Sequence, residues 1–281
     1  MKQTFKWIAL VLAIVMAAAM FTGCAKKSTS VIVIDDTFGD EEYGIGFRNG
    51  DVAFGLKVQE AFDAVVASGK GAEIAKQWLG EDLILKGRDY MEESVAADDD
   101  DSWTKIQEKG VMVLGLDASF PPMGYLDENN EIVGFDIDLA KAVAAELGVE
   151  LICQPIDWDA KELELNNGNI DFIWNGMTIT DERIASMFFT KPYLANEQIV
   201  LVGNNSGIKT KADLKGKNVA VQAGSSGQEA VEADAASATF KELVTYEDYV
   251  SAYQDLKIGR VDALVIDSIV GYYLIATDTA N

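Results

Sequence analysis

Histidine is absent from this 281-residue chain, cysteine occurs twice and proline four times. Without imidazole there is no Ser-His-Asp or Cys-His nucleophilic machinery, and no zinc site that needs histidine. Two cysteines exclude a disulfide-rich scaffold and a thiolate metal cluster. Cations are scarce, with Lys and Arg numbering 23 against 46 Asp and Glu, a net charge of −23. The chain therefore lacks the basic face of a general nucleic-acid binder. Charge alone would not dock it on an anionic membrane. What remains is ordinary for a globular protein: 49% hydrophobic and 25% charged residues. The length allows one or two domains with a sizeable core.

The N-terminus reads as an address. Lys2 and Lys6 form a positive region and residues 7–21 an apolar run. At about 20 residues for a spanning helix the run is short, and it suits a signal peptide. Phe21-Thr22-Gly23-Cys24 resembles the bacterial lipobox, with Phe21 where that motif has Leu. The resemblance implies cleavage after residue 23, lipid on Cys24, a tether over 24–30 and an extracytoplasmic protein held at the membrane. Loss of two lysines and no acid leaves a charge of −25. Cys153, in a strand-like run, reads as a buried, inert thiol.

Along the rest, residues 31–34 are an apolar β-branched run, hence a strand, and 35–42 an acidic turn. Phe54, Val58, Phe62 and Val65 fall on one face of a helix after Asp51, with Gly69 as its stop; another helix runs through Ile74 and Trp78 to Gly80. Residues 81–102 lose periodicity and hold Asp98-Asp99-Asp100-Asp101, which predicts an extended, solvated linker. The run lacks the glycine and closing glutamate of an EF-hand loop, so no metal is expected. Strands at 111–114, 151–156, 170–174, 199–202, 219–221 and 263–266 alternate with helices, one of them at 136–147. That alternation predicts an α/β fold with largely parallel sheets.

Gly115-Leu116-Asp117-Ala118-Ser119-Phe120-Pro121-Pro122-Met123 and Gly134-Phe135-Asp136-Ile137-Asp138-Leu139 resemble the opening of the polar amino-acid binding proteins of ABC importers. Asn175-Gly176-Met177-Thr178-Ile179-Thr180-Asp181-Glu182-Arg183 resembles their carboxylate-binding segment. Gln222-Ala223-Gly224-Ser225-Ser226 and Ile258-Gly259-Arg260-Val261-Asp262-Ala263, ending at Asp267, resemble their second lobe. The order departs from the family: Glu42-Tyr43-Gly44-Ile45-Gly46-Phe47-Arg48 and the helices to Gly80 look like its C-terminal end but come first. The resemblance implies a two-lobed type II periplasmic-binding-protein fold, circularly permuted. One lobe would hold 46–195, including the linker at about 81–102. The other would hold 31–45 and 196–281, with the hinge near 43–47 and 194–198.

The implied function is a lipid-anchored monomer that captures a free polar amino acid by hinge closure and delivers it to an ABC permease, with no cofactor and no catalysis. Arg183 offers a planar fork for the ligand carboxylate, helped by the Gly176 amide, Thr178 and Ser226. Asp267 would take the ammonium, Phe120 and Trp158 would sandwich the side chain, and Asp117 would meet its distal polar group. Asn175 and Gln222 would line the pocket. Asp117 and the lack of an obvious pocket lysine favour glutamine-like or basic amino acids. Two other readings fit the scaffold: a ligand-sensing receptor lobe with a separate membrane partner, or a lyase or dehydratase, which would need an added acid or base.

Overall fold

The computed structural model describes residues 30–86 and 94–279. The signal peptide, Cys24, nearly all of the tether and the middle of the linker lie outside the described residues. In chain order the strands are β1 (Val31–Arg48), β2 (Val111–Leu116), β3 (Ser119–Phe120), β4 (Gly124–Leu126), β5 (Ile132–Val133), β6 (Glu150–Pro155), β7 (Phe172–Thr178), β8 (Met187–Phe189), β9 (Leu194–Gly203), β10 (Asn218–Gln222), β11 (Glu242–Tyr246) and β12 (Ala263–Asp267). The helices are α1 (Val52–Ala67), α2 (Lys70–Leu79), α3 (Ser102–Lys109), α4 (Phe135–Leu147), α5 (Lys161–Asn166), α6 (Asp181–Ser186), α7 (Ser226–Ala233), α8 (Tyr249–Lys257) and α9 (Ser268–Thr279).

One sheet runs through the molecule in the order β11-β10-β12-β9-β1-β7-β2-β6, with β8 also on β1. Its two ends are parallel: β10 pairs with β11 and β12, and β2 with β6 and β7. The centre is antiparallel, because β1 runs against β7, β8 and β9 and β9 against β12. The expectation of largely parallel sheets therefore holds at the ends and not in the middle.

The acidic turn expected at 35–42 is strand. β1 continues from Val31 to Arg48 because β9 supplies partners along it, Val31 to Gly203 at one end and Tyr43 to Leu194 at the other. Register shifts between Val33 and Thr37 and between Thr37 and Asp40 absorb the poor strand formers. At Tyr43 the strand exchanges partners and begins to pair with β7.

Helix α1 buries Phe54, Val58, Phe62 and Val65 as its periodicity requires. Phe54 meets Phe47 and Phe172 edge-on at 5.2 and 5.8 Å, and burying each such ring contributes about 1.5–3 kcal/mol. Asp51 does not cap this helix with its side chain; it pairs with Arg48. The cap comes from the end of the linker. Asp100 accepts from the Ala53 amide at 2.7 Å and Ser102 from the Phe54 amide at 3.0 Å. The linker is thus docked at its far end rather than wholly solvated, and helix α3 follows where no element was expected. Cys153 is half-buried, and burial pushes its thiol pKa up.

Candidate functional site

The ends of β2, β7, β10 and β12 converge on the middle of the sheet, where β1 and β9 pass. Asp117 follows β2 and is buried. Its carboxylate accepts from the Ser119 amide at 2.8 Å and from Gln222 Nε2 at 2.7 Å, and Gln222 ends β10. Burial pushes the Asp117 carboxyl up to about 6, against the pull of those two bonds. Asn175 sits beneath it, taking the Asp117 amide on Oδ1 at 3.0 Å, while its buried Nδ2 has no partner.

Gly176 has φ +57, and a Cβ there would stand 2.6 Å from the Phe120 ring, so glycine is required for two reasons. Its amide is not open toward the cleft. It donates to buried Asp136 at 2.7 Å, which corrects its expected part in carboxylate binding. Asp136 also accepts from Tyr193 at 2.8 Å, and full burial pushes its carboxyl to about 7.

Arg183 lies in the first turn of α6, whose cap is Thr180. The buried guanidinium donates to the Thr178 carbonyl at 2.9 Å, the Gly224 carbonyl at 3.2 Å and Glu229 at 3.3 Å. Ser226 at the start of α7 donates to Thr178 Oγ1 at 3.0 Å. The expected carboxylate-binding hydroxyls therefore meet, one from each end of the sheet.

Asp267 ends β12 and accepts from Tyr43 at 2.6 Å and Asn196 at 2.7 Å. Burial first, then the nearby Glu41, push its carboxyl to about 7. Glu41 was hidden in the stretch read as a turn. Its Oε2 accepts from Thr178, Asn196 and Gln198, each at 3.0 Å. It also lines a cavity of about 710 Å³ with Asp40, Glu42, Asn196, Glu197 and Ser268. Recognising β1 as one strand would have exposed it.

Phe120 and Trp158 are both buried, but they make no ring contact with each other among the described residues. Phe120 packs on Tyr249 at 5.9 Å, and Trp158 carries the Lys161 ammonium 5.2 Å from its ring centre. Lys161 is a buried lysine beside these residues that the sequence reading did not single out. It is 5% exposed and donates to the Gly224 carbonyl at 2.8 Å and the Trp158 carbonyl at 3.3 Å. Burial and then the Arg183 charge lower its pKa to about 8. A signal was available: Trp158, Lys161 and Leu165 share one helical face, and the other two are apolar.

The arrangement has a cationic pole, Arg183 with Lys161, and an anionic pole, Asp267 with Glu41. Thr178 links them, with its carbonyl on Arg183 and its hydroxyl on Glu41. Such a cleft matches a zwitterion. No group of three or more Asp, Glu, Cys or His among the described residues could hold a metal, and no described helix is long and apolar enough to cross a membrane.

Residues 112–265 match the bacterial extracellular solute-binding proteins, family 3. The chain is 34% identical over 173 residues to the L-cystine-binding protein of Escherichia coli, covering 61% of this chain and 64% of that one. It is 36% identical over 157 residues to the ABC transporter arginine-binding protein 1 of Escherichia coli, covering 56% and 63%. The chain thus spans less than two thirds of these relatives' own length. Among solved structures, a substrate-binding protein of an ABC uptake transporter from Streptococcus pneumoniae with bound histidine matches with a TM-score of 0.61 and 40% identity, over 64% of this chain and 74% of that one. Holo ArgBP from T. maritima matches at 0.58 and 40%, over 63% and 77%. With its two-lobed α/β fold, the chain belongs to the bacterial extracellular solute-binding proteins, family 3.

Proposed function

We propose that this protein captures a free polar amino acid between two lobes and delivers it to an ABC permease, outside the cytoplasmic membrane and tethered by lipid on Cys24. One observation carries the reading: residues from opposite ends of the sheet meet across the cleft, Ser226 on Thr178, Gln222 on Asp117 and Lys161 on Gly224. Contacts split in this way let a ligand favour the closed state, since its differential affinity shifts the hinge equilibrium. The relatives that bind cystine and arginine, and the neighbour with bound histidine, support an amino acid as cargo.

The lobes of this proposal hold 46–195, and 31–45 with 196–281; the partner exchange of β1 at Tyr43 supports that boundary. The order is a circular permutation of the family's. In support, β1, α1 and α2 lie outside the family match, yet β1 fills the middle of the sheet. Asp117 at the side-chain end favours glutamine-like or basic cargo, and the protein works as a monomer without a cofactor.

Calorimetric titration of the chain from Ala25 with the twenty L-amino acids and L-cystine tests the reading. The expected result is micromolar binding of one or a few, about −8 kcal/mol, lost in Arg183→Ala and Asp267→Ala. A folded protein that binds none would overturn it.

A further inference from the structure

We infer that Glu41 and Asp267 together form the seat of the ligand's α-ammonium, which makes Glu41 a specificity-determining residue; this rests on the amino-acid reading above. The two carboxylates are brought together by one donor, because Asn196 Nδ2 bonds Asp267 at 2.7 Å and Glu41 at 3.0 Å. Their remaining hydrogen-bond partners are neutral: Tyr43 on Asp267, and Thr178 and Gln198 on Glu41. No Lys or Arg pairs with either carboxylate among the described residues. A buried carboxylate, Asp267, beside the half-buried Glu41 at the edge of the cavity, both served only by neutral donors, lacks a counter-charge.

A second observation points the same way. Gln198 is fully buried, its Nε2 serves Glu41 and Ser226, and its Oε1 has no partner. The cluster therefore has one positive charge too few, with the Gln198 oxygen and the Tyr249 hydroxyl both buried and unpartnered beside it. An ammonium supplies a unit charge and three donors in the smallest volume. Thr178 fixes which ammonium. Its hydroxyl is on Glu41 and its carbonyl on Arg183, so the anionic pole lies one residue from the carboxylate-binding pole. That separation suits two charged groups on one carbon rather than a cation at the end of a side chain.

Groups facing Glu41 that can titrate are Asp267, Tyr43 and Tyr249, with Asp40, Glu42 and Glu197 around the adjoining cavity. Burial and the nearby Glu41 favour the protonated form of Asp267, and an arriving ammonium favours the ionised form and expels the proton.

The test is calorimetry on the full chain in detergent, wild type and Glu41→Gln, at pH 6 in two buffers of different ionisation enthalpy. The probes are the twenty L-amino acids and L-cystine, followed by the 2-oxo acid of whichever binds the wild type tightest. Glu41→Gln should weaken that amino acid at least about tenfold and leave the 2-oxo acid unchanged. Wild-type binding should release protons. The inference is overturned if Glu41→Gln binds within twofold of wild type, or if the 2-oxo acid loses as much as the amino acid. Should the variant not fold, wild-type binding without proton release overturns it. A wild type that binds no probe instead removes the amino-acid reading on which the inference stands.

Discussion

Lys161 reaches from the β2–β7 end of the sheet to donate a 2.8 Å hydrogen bond to the Gly224 carbonyl at the β10 end. The lysine is buried beside a second cation, Arg183, and the nearby Glu229 is partly exposed. Such a charge is held at an expense to folding, offset only when the cleft is closed or an anion is present.

Lys161→Met keeps the volume and removes the charge. Folding stability should be unchanged or higher, because a desolvated ammonium is gone. Amino-acid affinity should fall about tenfold, as a charge-assisted hydrogen bond of about 1.5–3 kcal/mol across the cleft is lost. Thermal melting and calorimetry on one preparation separate the two effects. A parallel drop in both would make Lys161 a structural residue only.

Gly224 takes the same contact from the other side. It has φ +65, and a Cβ there would lie 2.9 Å from the Asp159 Cα, which cannot swing aside as a side-chain tip can. Gly224→Ala should therefore hinder closure, weakening amino-acid binding tenfold or more while the open form stays folded. The left-handed backbone itself adds about 1–2 kcal/mol of strain. Small-angle scattering with saturating amino acid should show a larger radius of gyration than wild type. An unchanged radius would refute the closure argument.

What the sequence disclosed and what it hid follow from the range of the forces involved. Phe54, Val58, Phe62 and Val65 announce α1 because a helix's buried face repeats within its own length. Asp117, Arg183 and Asp267 stood out as candidates because each lies in a short recognisable segment. Glu41 was missed because Asp35 to Glu42 are poor strand formers, and only pairing with β9, far along the chain, holds them extended. Asp100 looked like one more solvated acid, yet it serves the first turn of α1, 47 residues away. The Gly176 amide looked available because nothing local predicts that Asp136, 40 residues earlier, would take it.

Asp136 also sets a pH dependence. It and Asp267 are held near 7, and Asp117 near 6, against 3.8 when unfolded. Between about 4 and 7 the folded chain keeps protons that the unfolded chain has released. Stability of the ligand-free protein must then fall as pH rises through that window and return on acidification. Asp136→Asn mimics the protonated group, accepting from Gly176 and donating to Tyr193. Its folding free energy, read by chemical denaturation, should vary less between pH 5 and 8, by up to about 1.4 kcal/mol per pH unit at the steepest. A slope equal to wild type would show that Asp136 titrates normally.

On the proposed reading, Asp117 would decide between the two classes of cargo. A basic side chain needs it ionised, whereas a glutamine-like amide can use either protonation state as an acceptor. With its carboxyl pushed to about 6, affinity for L-arginine should climb from pH 5 to 7 relative to affinity for L-glutamine. Taking the ratio removes the titration of Asp267, which acts on every amino acid alike. Asp117→Asn keeps an oxygen for the Ser119 amide and removes the charge. It should flatten the ratio, weakening L-arginine at least tenfold and L-glutamine less than threefold. If the variant weakens both equally, Asp117 braces its loop and the Gln222 contact without reading the side chain, and the choice of cargo must be made elsewhere in the cleft.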